Sequence, residues 1–136
     1  MSVTTWLIIA AIFGVIVMAL LARFSHRIVP SLNQKYFLAK WTELLDHIKT
    51  PHGMAIAIID ADKLLDEALR RRGYRGKTTG ERLVAAQRKL SDNDGVWYAH
   101  KLRNRLVHEP NVRLKKNEVK DALGGFRQAL KDLGAL

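Results

Sequence analysis

Residues 97–110, WYAHKLRNRLVHEP, gather a Trp, a Tyr, two His, two Arg and an Asn into one short stretch. A helix that only had to pack would fill these positions with Leu, Lys and Glu. Imidazoles can move protons near neutral pH, and guanidinium groups can hold phosphates or carboxylates through paired hydrogen bonds. At about 100° per residue, Ala99, Leu102 and Leu106 define the buried face of this helix, and Arg103 falls about 40° from Ala99, inside the apolar arc. An unpaired guanidinium there would cost several kcal/mol, so Arg103 needs an acid or a partly wet cleft between subunits. Asp60, at the edge of the apolar face of an earlier helix, is the expected acid. Trp97, His100, Asn104 and His108 form a second stripe at spacings of three and four. At the helix end, His108 could also simply cap its own last carbonyls, and Trp97 and Tyr98 could be core residues.

A second cluster is Arg70-Arg71-Arg72-Gly73-Tyr74-Arg75-Gly76-Lys77, five basic residues and an aromatic in a glycine-flanked loop. It suits phosphate contacts with Tyr74 stacked on a base, and it suits anionic lipid equally well. The plainer reading is a solvated helix end whose cations complement the dipole. The glycine spacing does not make a P-loop, and no strand precedes it. No metal cluster stands out among the five histidines, so no metal and no cofactor is expected.

The elements that must position these residues read as helices throughout. Asn33 to Lys49 places Phe37, Trp41, Leu44, Leu45 and Ile48 on one stripe. Thr50 caps the next helix with Pro51 at its first position, and Met54, Ala57, Ile58, Ala61, Leu64, Leu65, Ala68 and Leu69 form its wide apolar face. Its outer face carries Asp62, Asp66 and Arg70 together with Lys63, Glu67 and Arg71, including acid-before-base pairs four residues apart, and Gly73 closes it. Thr78-Thr79-Gly80-Glu81 is a capping box opening a third helix with Leu83, Ala86 and Leu90 inward. Asp94 is expected to cap a fourth, Val96 to His108, stopped by Pro110. Val119, Ala122, Leu123, Phe126, Leu130 and Leu133 mark a fifth, Asn117 to Leu133. No strand pattern is present. The expected fold is therefore all-α: an N-terminal transmembrane helix followed by a four-to-five-helix up-and-down bundle.

Val3 to Ala22 holds no charge and is about the length that crosses a hydrocarbon core as a helix. No basic residue precedes this run, which argues against a cleaved signal peptide. Arg23, Arg27, Lys35 and Lys40 all follow it, which predicts a single-pass protein of the cell membrane with its C-terminal domain in the cytoplasm. Residues 1–24 are read as the transmembrane anchor, 25–32 as a linker broken by Pro30, and 33–136 as the helical domain. The formal net charge of +10 lies wholly after the span, a surface that attracts RNA, DNA or anionic membrane. The absence of cysteine excludes disulfides, thiolate metal sites and a cysteine nucleophile.

Arg103-Asn104-Arg105-Leu106-Val107-His108 resembles the Arg-x-x-x-x-His signature of the HEPN superfamily, including the polar residue after the arginine, and it lies late in a helix of a small bundle as in that family. The resemblance covers about residues 36–134 in architecture and 103–108 in motif. It implies a homodimer in which two motifs face a shared cleft, and an RNA-binding domain that in many members is a metal-independent endoribonuclease. His108 would then be the general acid or base, Arg103 would hold the scissile phosphate, and Asn104 would orient phosphate or imidazole. Many family toxins carry a Tyr two residues after the His, where this chain has Glu109-Pro110. The competing expectation is a non-catalytic helical adaptor for anionic lipid or a partner protein.

Overall fold

The computed structural model describes residues 2–24 and 29–136. Among them it is all-helical, with six α-helices: α1 Val3–Phe24, α2 Gln34–Leu45, α3 Pro51–Arg71, α4 Thr79–Ala86, α5 Asn93–His108 and α6 Lys116–Asp132, plus one 3₁₀ turn, Asp46–Lys49, after α2. The first linker residues, 25–28, including Arg27 of the basic flank, lie outside the described residues.

α1 stands apart from the remainder. Its large apolar side chains, Trp6, Leu7, Ile12 and Phe13 among them, are exposed, and Val3–Arg23 is long and apolar enough to cross a membrane. At 1.5 Å per residue, its 22 residues reach about 33 Å.

The other helices gather around α3, which touches α2, the 3₁₀ turn, α4, α5 and α6. Local chemistry sets its ends. Thr50 Oγ1 accepts the Gly53 N–H at 3.0 Å, and Pro51 opens the helix where no intrahelical donor is needed. At the other end Gly73 takes φ +83°, and the N–H groups of Gly73 and Tyr74 return to the carbonyls of Arg70 and Leu69. That closure needs the left-handed backbone that glycine adopts without strain. Between the caps, Ala57, Ile58, Ala61, Leu65, Ala68 and Leu69 are fully buried. Phe37 and Trp41 of α2 and Val119, Ala122, Phe126 and Leu130 of α6 share that core.

α5 begins earlier than the sequence suggests. Asp92 rather than Asp94 is its cap, accepting the Gly95 N–H at 2.9 Å. Asn93 explains the shift, because its amide donates to the carbonyls of Gln87 and Leu90, satisfying the end of α4 while the next helix starts. α5 then packs along α6 at a very close crossing: a Cβ at Gly125 would stand 2.3 Å from the Gly95 carbonyl oxygen. The Thr78 cap opens α4 as expected, although Glu81 reaches past it to accept the Lys77 N–H.

Two carboxylates fasten the connections. Asp66 takes Arg82 at 2.7 Å, Thr79 at 3.0 Å and Arg70 at 3.1 Å, tying α3 to α4. Asp132 takes both the N–H and the hydroxyl of Ser91, joining the end of α6 to the α4–α5 turn. Burial works against the charge of Asp66, but the hydrogen bonds from Arg82 and Thr79 and the nearby cations outweigh it and hold the carboxyl below its ordinary value. A depressed carboxylate contributes fully above the unfolded value of about 3.9 and loses that contribution as pH falls through the folded value. Asp66→Asn should therefore lower stability at pH 7 by about 1–3 kcal/mol. Its melting temperature should converge with the parent's as pH falls below about 4. A gap that stays constant down to pH 2 would show that the charge of Asp66 contributes nothing.

Candidate functional site

Asp62 is 1% exposed and His100 is 8% exposed, and they are the two buried polar side chains among the described residues. Asp62 projects from the middle of α3 toward α5, where its two oxygens take different partners. Oδ1 lies 2.7 Å from His100 Nδ1, and Oδ2 lies 3.3 Å from Arg103 Nε, an ion pair whose angle falls short of a hydrogen bond. Arg103 Nη1 donates to Asn104 Oδ1 at 3.0 Å, and the Asn104 amide faces His100 Nε2 at 3.4 Å. These contacts close a ring: carboxylate, imidazole, amide, guanidinium and back to the carboxylate.

A carboxylate must accept, so His100 Nδ1 donates to Asp62, and Nε2 faces the Asn104 amide. Asn104 in turn offers its oxygen to Arg103. Trp97 lies edge-on to His100, with ring centroids 5.8 Å apart. The backbone of α4 covers the same imidazole, since a Cβ on Gly80 would stand 3.7 Å from Nε2. The Arg103 side chain keeps 26% of its surface exposed, and no described residue takes its Nη2.

Three sequence expectations change here. Asp60 is not the acid that meets Arg103: it sits 3.7 Å from Lys63 on a half-exposed edge of α3. Asp62, read from the sequence as an outer-face residue, is the buried partner. The signal for it lay in spacing, because Ile58, Leu65 and Leu69 stand four before, three after and seven after Asp62, and all three are fully buried. The stripe of Trp97, His100, Asn104 and His108 is also divided. Its first three members join the cluster around Asp62, whereas His108 at the end of α5 is exposed and without a partner among the described residues. His108 does not cap its own helix; the Glu109 N–H closes the last turn onto the Arg105 carbonyl. The Glu109 side chain lies 3.6 Å from Arg105.

The basic loop is partly committed to the fold. Arg70 pairs with Asp66, and Arg71 pairs with Glu67 while lying 4.9 Å from the ring centroid of Tyr36. Arg72 donates to the Pro30 carbonyl, and Tyr74 packs against the core. Arg82 donates to the Gly76 carbonyl and fixes the loop from below. Arg75 and Lys77 keep exposed side chains without partners among the described residues. With Arg70, Tyr74 and Arg82, Arg75 borders a hollow of about 540 Å³.

No protein-family model, no curated protein and no solved structure matches the chain.

The ring predicts opposite outcomes for Asp62 of α3 and His108 of α5. Asp62→Ala strips the partner from His100 and Arg103 together and should destabilise the fold by about 3–5 kcal/mol. His108→Ala should leave stability within about 0.5 kcal/mol of the parent. Thermal melts of the two variants side by side check both, and equal effects would remove Asp62 as the organising group.

Proposed function

We propose that the chain is a membrane-anchored, HEPN-like domain that binds RNA and acts as a metal-independent endoribonuclease, working as a homodimer on the cytoplasmic side. The observation that carries this reading is the state of Arg103: its guanidinium is held from behind by Asp62 and Asn104 yet keeps an exposed edge. A cation held in one orientation with free donors is suited to a phosphate. Membrane anchoring rests on α1, and the cytoplasmic side on the cations that follow it.

In this reading Arg103 binds the scissile phosphate and Asn104 holds Arg103 in register. His108, about 7.5 Å further along the helix axis, supplies or removes the proton. The ribose 2′-hydroxyl attacks phosphorus and the 5′-oxygen leaves with a proton, giving a cyclic phosphate, so RNA and not DNA is the substrate. His108 stands about 140° around α5 from Arg103, so one copy does not place both groups on a single phosphate. A second copy facing the first completes the site. Arg75 and Lys77 extend the contact to neighbouring phosphates.

A second reading, the non-catalytic adaptor, draws on a different observation. The groups around Asp62 pair mostly with one another, as a purely structural polar core would. Arg72 bonded to the Pro30 carbonyl also puts the basic loop beside the segment arriving from α1, where anionic lipid would be at hand.

The ribonuclease reading is tested with the full chain in lipid nanodiscs, on single-stranded RNA and in the presence of a chelator. Cleavage should leave cyclic phosphate ends, and His108→Ala should slow it about 10²- to 10⁴-fold with an unchanged melting temperature. If the folded parent cuts no RNA, or His108→Ala cuts as fast, the adaptor reading stands instead.

A further inference from the structure

α2 and α6 each pack on α3, and between them runs a furrow of about 390 Å³. Leu45, Ile48 and Met54 form one apolar wall, and α6 supplies the other. Every charged residue lining the furrow is a cation, namely Lys116, Lys120 and Arg127, and none of the three has a partner among the described residues. Their spacing of four and then seven residues keeps all three on one side of α6, along about 16 Å of its axis. The furrow shares no residue with the ring around Asp62, so its occupant is independent of whether RNA is cut.

We propose that this furrow docks an acidic amphipathic helix of a partner protein. About three turns of such a helix would match its length, placing Leu, Ile or Met side chains between the walls and Asp or Glu side chains against the three cations. The charge selects the partner's acidity, and the apolar walls select a helix over a nucleic acid. RNA would meet the cations but would leave the walls without an apolar counterpart, and Trp41 at the floor is only 5% exposed, too covered to stack on a base. A bilayer surface is a poorer match for a concave furrow. Leu45 also lies about 16 Å along the axis of α2 from its start, at the end away from the linker.

Gly124 provides a clean obstruction. It lines the furrow, and a Cβ built on it meets nothing within 4 Å, so a large side chain there enters open space. Helix propensity also improves when glycine is replaced, which protects the fold. The test uses the full chain in phosphatidylcholine nanodiscs and a fluorescein-labelled synthetic peptide helix with Leu along one stripe and Glu on its flanks. A scrambled peptide of the same composition and a Lys-for-Glu peptide serve as comparisons, with single-stranded RNA and phosphatidylglycerol vesicles as competitors. Fluorescence anisotropy should show the acidic helix binding at least about tenfold more tightly than its scrambled form. Gly124→Trp should weaken it by a similar factor with no loss of melting temperature. The pair Lys120→Glu and Arg127→Glu should transfer the preference to the Lys peptide. Equal binding of ordered and scrambled peptides, or indifference to these variants, would overturn the proposal. Displacement of the peptide by RNA or by anionic vesicles in a way that Gly124→Trp also blocks would overturn it too, reassigning the furrow to that competitor.

Discussion

A carboxylate placed at the centre of a helix bundle constrains whatever faces it. Asp62 is as deeply buried as the leucines around it, and an unpaired charge there would cost several kcal/mol. α5 must therefore present donors at two points one turn apart, and His100 and Arg103 meet that demand. Much of the unusual composition of α5 traces to this single group on α3. His100 Nδ1 is held by Asp62, Asn104 is fixed by His100 on one side and Arg103 on the other, and the guanidinium has one remaining open edge.

The same constraint sets the place of α5 in the fold. One side is held to α3 by the polar ring, and the other is pressed against α6 where Gly125 meets the Gly95 carbonyl. A polar clamp and a close backbone crossing together leave α5 little freedom to rotate or slide. Rotation would pull Arg103 from Asp62 and turn Val96 and Ala99 out of the core. A site that depends on the angle of one guanidinium benefits from such a support.

The helices are legible in the sequence where their signals are local. Thr50 and Thr78 cap as their side chains suggest, Gly73 ends α3, and the apolar stripes of α3 and α6 are the ones buried. Asp62 reads as an outer-face residue because carboxylates on amphipathic helices usually face water, although its neighbours at four, three and seven residues all point inward. The basic loop departs in the opposite direction. Arg70 and Arg71 are visible as four-residue partners of Asp66 and Glu67, and that pairing leaves them less free for a ligand than their charge alone implies. The furrow between α2 and α6 has no signal in the sequence, because it exists only once both helices lean on α3.

The central claim, that the buried carboxylate organises α5 through Arg103, is tested most directly by a double-mutant cycle on the full chain, with Asp62→Ala, Arg103→Ala and the two combined, read by equilibrium denaturation. The combined variant should be less destabilised than the sum of the singles by about 1–3 kcal/mol, since each single change leaves a charge without its partner. Losses that add within about 0.5 kcal/mol would mean that the two groups are neighbours without coupling, and would contradict that claim.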